Sequence, residues 1–375
     1  MKILFLTRSL NYGGAERQLV ALAKGLKQRG HAVVVAVFYP GGPLAGDLRA
    51  AGVAMRSLGK NGRWHVFGFL FRLIKLVKQE RPDLLHAYLC VPNILATLIS
   101  PLFPKMRIAW GVRNSNVDLS RYDWTRKAFY SAERWLSRFA DLIISNSHSG
   151  MRHALANGFP EAKMTVIPNG IDTNRFRVDQ SLRRKVRAEF GVAPDQKLIG
   201  LIGRLDPMKG HPTFLKAAAM LAEQRKDLLF ICVGDGPEGY RNEVVSLGEE
   251  LGLADRLIWS KARPDMPAIY NAMDMIVSAS SYGEGFANVI GEAMACGVAC
   301  VVTNTGDSAW VVGDIGEVVV PNDASELRRG IERALERIRA DAHDGQRSQQ
   351  RVVSQFSVAE LVLRSEAAFL RLAQS

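Results

Sequence analysis

Cysteine is scarce in this chain. There are four in 375 residues, at positions 90, 232, 296 and 300, too few and too scattered for a disulfide framework. Only Cys296 and Cys300 are close enough to share a metal. No second pair and no nearby histidine completes a ligand set, so small buried thiols are expected. Long apolar runs are also missing. The most apolar stretch, 84–103, is broken by His86, Pro92, Asn93 and Pro101, which argues against a membrane span. The apolar part of the opening MKILFLTRSLN is too short for a signal peptide, and a cytoplasmic protein is expected. No Gly-x-Gly-x-x-Gly follows the first apolar run, and no Walker loop occurs, so the common dinucleotide and P-loop fingerprints are excluded. No two aspartates are separated by a single residue. Acidic residues are few in the first half: residues 1–170 hold 24 Lys and Arg against 9 Asp and Glu, a balance of +15, whereas residues 171–375 come to −3. That asymmetry points to an anionic partner for the first half, either nucleic acid or a membrane surface. No recognised nucleic-acid motif accompanies the charge, so no nucleic-acid partner is expected.

What is present is an ordinary globular composition, 47% apolar and 23% charged, at a length that suits two domains. Apolar strand-like runs at 2–7, 32–38, 84–87, 107–110, 142–145 and 165–167 alternate with helical spacing. The same alternation restarts at 198–202 and continues at 229–233, 257–259, 275–278, 299–302 and 318–320. This is an α/β pattern of two doubly wound parallel sheets. The polar turn PNGIDTNRFR at 168–177 is the natural linker, giving domains at 1–170 and 171–355, with residues 356–375 following as a helical tail. Ligands bind at the carboxyl ends of parallel strands, so a cleft between two such domains is the expected site.

Two segments carry chemistry. Gly203-Arg204-Leu205-Asp206-Pro207-Met208-Lys209-Gly210 follows an apolar strand and opens a helix. Arg204 and Lys209 lie across one glycine-bounded turn, and the helix end adds N–H groups for a diphosphate. The second is Glu284-Gly285-Phe286-Ala287-Asn288-Val289-Ile290-Gly291-Glu292, with a helix expected over 286–296. The exposed N–H groups of Phe286 to Val289 are placed for phosphate. Glu284 lies ahead of the helix and Glu292 about two turns inside it, and carboxylates accept the hydrogen bonds that sugar hydroxyls offer.

Together these segments resemble the retaining nucleotide-sugar glycosyltransferases of GT-B fold, in the large bacterial group that serves polysaccharide and lipid-linked glycan synthesis. GRLDPMKG is similar to that group's Gly-Arg…Lys-Gly element. Glu284 and Glu292 match its paired glutamates, followed by EAMACG, and NYGGAER, SNS at 145–147 and PNGID at 168–172 agree as well. The likeness runs over nearly the whole chain and is strongest over 197–305. It implies two facing Rossmann-like domains, the first for the acceptor and the second for the nucleotide-sugar, with a C-terminal helix over 357–372 crossing back to the first. It implies that Arg204 and Lys209 hold the donor diphosphate, that Glu284 lies at the donor sugar, and that Glu292 holds the ribose. Gly285, Phe286, Ala287, Asn288 and Val289 would give backbone contacts. Gly13 and Gly14 would let the first domain's loop approach the donor, and Arg263 would border the base. The implied reaction moves a hexosyl or N-acetylhexosaminyl group, with UDP-sugar as the first choice of donor, with retention, no metal and no cofactor.

One departure stands out. Where many relatives place a histidine after the strand at 107–110, this chain has Gly111-Val112-Arg113-Asn114. Arg113 is then a candidate for donor phosphate or an anionic acceptor, and His86 a second candidate. Glu284 is read as a positioning group, with covalent participation left open. A nucleotide-sugar epimerase or hydrolase, and a non-catalytic binding scaffold, remain as rivals. Finally, the segment 63–78 sets Arg72, Lys75 and Lys78 along one side and Phe67, Leu70, Phe71, Ile74 and Val77 along another. A second basic, aromatic helix is expected over 122–139, carrying Trp124, Arg126, Lys127, Arg134, Trp135 and Arg138. Both suit a polyprenyl-diphosphate-linked acceptor at an anionic membrane surface.

Overall fold

A computed structural model describes residues 1–60, 66–113, 124–341 and 343–374. Arg63, Asn114 and Tyr122, named above, lie outside them, and so do the side chains of Phe67, Trp124 and Arg126. The chain divides into two compact units, Met1–Gly170 with Val358–Ser375, and Ile171–Ser357.

Unit 1 is built on seven parallel strands: β1 Lys2–Thr7, β2 Ala32–Val37, β3 Ala54–Ser57, β4 Leu84–Tyr88, β5 Arg107–Val112, β6 Leu142–Ser145 and β7 Met164–Val166. Their order is β3-β2-β1-β4-β5-β6-β7. The direction of winding reverses between β1 and β4, whose registers pair Phe5 with His86. Short β3 escapes the sequence reading because only four residues pair and its side chains are half-buried or exposed. One face of the sheet is covered by α1 (Gly14–Gln28), α2 (Ala45–Ala50) and the final helix, through Leu19, Leu22, Leu26, Leu361, Val362 and Phe369. The other face is covered by α3 (Val66–Glu80), α4 (Cys90–Ile99), α5 (Trp124–Leu136) and α6 (His148–Ala156). The buried stripe of α3 is Phe69, Leu73, Leu76 and Val77. Of the apolar side expected above, Val77 is buried and Leu70 and Ile74 pack against the same core, but Phe71 faces outward, and helical spacing from Phe69 selects the buried set.

Unit 2 repeats the plan with six parallel strands: β8 Lys197–Ile202, β9 Leu228–Val233, β10 Leu257–Ser260, β11 Met275–Ser278, β12 Ala299–Thr303 and β13 Glu317–Val319, in the order β10-β9-β8-β11-β12-β13. Its helices are α7 Gln180–Glu189, α8 His211–Gln224, α9 Glu238–Glu250, α10 Met266–Ala272, α11 Asn288–Ala295, α12 Ser308–Val312, α13 Ala324–Ala340 and α14 Asp344–Phe356. The final helix, α15 Val358–Gln374, belongs to unit 1. These are two Rossmann-like α/β domains with a C-terminal helix returning to the first. Cys232, Cys296 and Cys300 are free and buried, and burial pushes all three thiols well up from their ordinary range.

Candidate functional site

The order of the second sheet decides where its chemistry collects. Winding reverses between β8 and β11, so the loops after these two strands flank the switch point, where open α/β sheets bind ligands. The loop after β8 is Gly203–Gly210 and the loop after β11 contains Glu284. Two hundred and three to two hundred and ten and the acidic loop are far apart in sequence, yet the Ser281 N–H donates to the Met208 carbonyl at 2.8 Å. Gly210 is needed for this approach. Its φ is +70°, and a Cβ there would fall 1.9 Å from the Ala279 carbonyl oxygen.

Within this junction Lys209 Nζ donates to Glu284 Oε1 and forms an ion pair with it. Ser280 Oγ donates to the same oxygen at 2.7 Å. Both charged side chains are largely buried. The Ser280 carbonyl accepts from Thr303 Oγ1 at 2.7 Å and from Thr305 Oγ1 at 3.0 Å, which fixes the acidic loop to the end of β12. Asp206 caps a short 3-10 turn over Pro207–Lys209 by accepting from the Met208 N–H at 2.9 Å. Arg204 behaves differently: its side chain is 73% exposed, with Asp206 at 3.8 Å. The site therefore has one cation anchored to a carboxylate and one projecting into solvent. Behind the turn, His211 is buried. Burial and then the Lys209 charge hold its pKa down to about 4, so the ring is neutral at pH 7.

The helix after the acidic loop starts at Asn288, two residues later than expected. Phe286 is buried against Phe356, with ring centroids 5.4 Å apart, and the Gly285 carbonyl accepts from the Asp307 N–H at 3.1 Å. Those anchors keep Phe286 and Ala287 out of the helix, with Ala287 as its extended N-cap. The helix end is consequently the turn beginning at Asn288, where the Ile290 N–H donates to the Ala287 carbonyl at 3.1 Å. Glu292 sits just over one turn inside the helix, where Tyr270 Oη donates to its Oε2 at 2.7 Å. Tyr270 is fully buried, and burial together with Glu292 raises its pKa well above the ordinary value. No sequence signal singled out Tyr270, Thr303 or Thr305. Arg263 donates to Asp265 at 2.7 Å and pairs with Glu189, so its guanidinium is bound to two carboxylates of unit 2.

In unit 1 the named residues form two groups. Gly13 is the N-cap of α1, and a Cβ there would meet Glu16 Oε2 at 2.1 Å; Gly14 is the first residue of that helix. At the end of β4 and β5, Arg113 donates to Asn169 Oδ1 and to Tyr88 Oη, the latter at 3.1 Å, and stacks 4.9 Å from the centre of the Tyr88 ring. His86 is buried among Phe5, Tyr88 and Phe369, and neither ring nitrogen has a hydrogen-bond partner. Burial, and then the charge of Arg113, hold its pKa down to about 3. A hydrogen bond unseen in the sequence closes this unit: Gln18 donates to the Gly170 carbonyl at 2.9 Å and accepts from its N–H at 2.7 Å. Among the described residues no group of three His, Cys, Asp or Glu is placed to hold a metal ion, and no helix is long and apolar enough to cross a membrane.

Comparison with known proteins agrees with this plan. Residues 12–175 match Glycosyltransferase Family 4, and residues 183–351 match Glycosyl transferases group 1. The chain is 27% identical over 212 residues to a 2-deoxystreptamine glucosyltransferase of Streptomyces kanamyceticus, covering 55% of this chain and 54% of that protein. It is 30% identical over 207 residues to a D-inositol 3-phosphate glycosyltransferase of Mycolicibacterium smegmatis, covering 53% and 46%. The chain thus spans about half the length of these curated relatives. Among solved structures, the Anabaena protein Alr3699/HepE in complex with UDP and glucose superposes with a TM-score of 0.84 at 25% identity, over 99% of this chain and 100% of that one. WaaG, a glycosyltransferase involved in lipopolysaccharide biosynthesis, shares the fold with a TM-score of 0.72 at 16% identity, over 97% and 98%.

Proposed function

Because the chain belongs to the GT-B glycosyltransferases, with a Family 4 domain in its first half and a group 1 domain in its second, we propose that it transfers a sugar from a UDP-sugar to a lipid-linked glycan acceptor. The observation that carries the reading is the Lys209–Glu284 pair at the switch point of the second sheet, with Arg204 projecting beside it. An anion between a helix end and two cations is stabilised as charge develops on it. In the proposed step the bond from the anomeric carbon to the donor's diphosphate oxygen breaks. The acceptor oxygen attacks from the same face, and the departing phosphate takes the acceptor's proton, so configuration is retained. Arg204 and Lys209 stabilise the diphosphate that leaves. Glu284, oriented by Lys209 and Ser280, accepts hydrogen bonds from donor sugar hydroxyls, and Glu292, oriented by Tyr270, accepts from the ribose. The two cations take the place of a divalent ion, so transfer proceeds without metal or cofactor.

The Anabaena structure holding UDP and glucose supports the choice of donor, and the +15 balance of residues 1–170 supports an anionic, lipid-linked acceptor at the membrane. The transferred group is a hexosyl or N-acetylhexosaminyl residue. The test is a panel of UDP- and GDP-sugars assayed for nucleoside diphosphate release with and without lipid acceptor, in EDTA. Release that needs a UDP-sugar and acceptor together, undiminished by EDTA, is expected. Acceptor-independent turnover to free or epimerised sugar would make the chain a hydrolase or epimerase instead. Activity lost in EDTA and restored by magnesium or manganese would end the metal-free reading.

A further inference from the structure

The helices α3, α4 and α5 lie in one layer on one face of the first sheet, and their inner sides share a single core. Their outer sides do not look like a solvated surface. Seven of the ten exposed large apolar side chains described in unit 1 are on this layer. Val91, Leu98 and Leu102 form a stripe along α4 and the 3-10 turn Ser100–Leu102 that extends it, with Leu98 57% exposed. Phe129, Trp135 and Phe139 stand on α5 and the 3-10 turn Ser137–Phe139 after it, with Trp135 55% exposed. Phe71 adds an exposed ring on α3.

Among the described residues of these helices and the 3-10 turns after them, the exposed charged side chains are all cationic. Arg72, Lys75 and Lys78 are exposed on α3, and Lys127, Arg134 and Arg138 on α5 and the turn after it. The carboxylates of these helices are withdrawn. Glu133 is buried and accepts from Asn93 at 2.9 Å, and Glu80 is paired with Lys2 and Arg56. Trp135 and Phe139 are already arranged as an edge-to-face pair 5.4 Å apart, with the Arg138 guanidinium 5.4 Å over the Trp135 ring.

We propose that the outer face of α4 and α5 is a docking surface for an anionic bilayer, inserted through Leu98, Leu102, Trp135 and Phe139 and held by the flanking cations. The inference rests on the lipid-linked acceptor reading and gives it a place on the molecule. Amphipathic rings and leucines among lysines and arginines suit the headgroup boundary, and the flanking cations complement an anionic leaflet. A second copy of this chain fits less well, because an isologous pairing sets the same cations against one another. The stripe on α4 shifts the contact away from α3, where the sequence placed much of it.

The experiment is flotation of the full chain with phosphatidylglycerol–phosphatidylcholine vesicles and with pure phosphatidylcholine vesicles, in the absence of any sugar donor or acceptor. Binding to the anionic vesicles that weakens with salt is expected. The triple variant Leu98→Ser, Trp135→Ser, Phe139→Ser should bind roughly tenfold less, since each loses buried apolar area in the interface, while its thermal midpoint stays unchanged. No binding by the parent chain overturns the proposal. So does binding that survives the triple variant and disappears with Arg72→Gln, Lys75→Gln and Lys78→Gln, which would move the contact to α3. A concentration-dependent dimer abolished by the triple variant would also overturn it, by assigning the face to a second copy. Because no sugar is present, these outcomes are separate from failure of the transferase reading, which the nucleoside diphosphate assay reports.

Discussion

At the scale of single residues, the two cations of the candidate site differ in what their removal does. Arg204 is exposed and loosely placed near Asp206, so Arg204→Ala should leave the unfolding free energy within about 0.5 kcal/mol of the parent's. Its turnover should fall by two to three orders of magnitude, about 2.7–4 kcal/mol in the barrier. Near-normal turnover would remove Arg204 from the diphosphate site. Lys209 is largely buried on Glu284. Lys209→Ala should cost both activity and stability, because it leaves a carboxylate buried without its partner. The double variant Lys209→Ala, Glu284→Gln separates the two effects: the thermal midpoint should recover and turnover should not. Tyr270→Phe should mainly raise the donor KM, since the Glu292 carboxylate loses the hydroxyl that orients it in ground and transition states alike. A fall in kcat at unchanged KM would contradict the ribose role.

At the scale of elements, the strands of both sheets other than β3 were legible, because parallel strands buried on both faces read as near-continuous apolar runs. The paired glutamates and the Gly-Arg…Lys-Gly turn were legible as well, since each belongs to one short continuous segment. The ion pair between those loops was not, because it depends on sheet order: β8 and β11 are neighbours only through a crossover. The start of α11 was read two residues early. The sequence shows a continuous apolar pattern through Phe286 and Ala287, and only the tertiary burial of Phe286 against Phe356 breaks it. Arg113 was singled out by position alone; the partners of its planar group, Tyr88 on β4 and Asn169 in the segment after β7, are distant in sequence and were not legible. Gly210→Ala tests the loop junction. Its left-handed backbone and the Ala279 carbonyl at 1.9 Å leave no room for a methyl group, and the loops must separate. The variant should lose donor binding in a thermal-shift titration with UDP, whereas Gly239→Ala, in open space on α9, should keep it.

At the scale of the whole molecule, acid should weaken the first unit through His86. Its folded pKa of about 3 lies below the ordinary 6.5, so between these values the unfolded chain binds the extra proton. Stability is therefore fully present above about pH 6.5 and falls by about 1.4 kcal/mol per unit as pH drops toward about 3. Tyr88 and Arg113 are the ionisable groups that face it, beside the Phe5 and Phe369 rings. His211, held down to about 4, acts in the same direction in unit 2. Glu133, whose carboxyl is raised by burial, acts in the opposite one. Urea midpoints at pH 7 and pH 5 for the parent and for His86→Phe should show a smaller acid loss in the variant. Equal losses would place the proton elsewhere.

The helix α15 fills part of one face of unit 1, yet it is encoded after all of unit 2. Unit 2 is continuous from Ile171 to Ser357, and its first and last residues pair as a short parallel bridge. During synthesis the second unit can therefore close as soon as Ser357 emerges. The first unit, though translated earlier, waits with the places for Leu361, Val362 and Phe369 uncovered until α15 has emerged as well. The half made first is the half finished last, and a nascent chain halted before Val358 would carry one completed domain and one still open to chaperones.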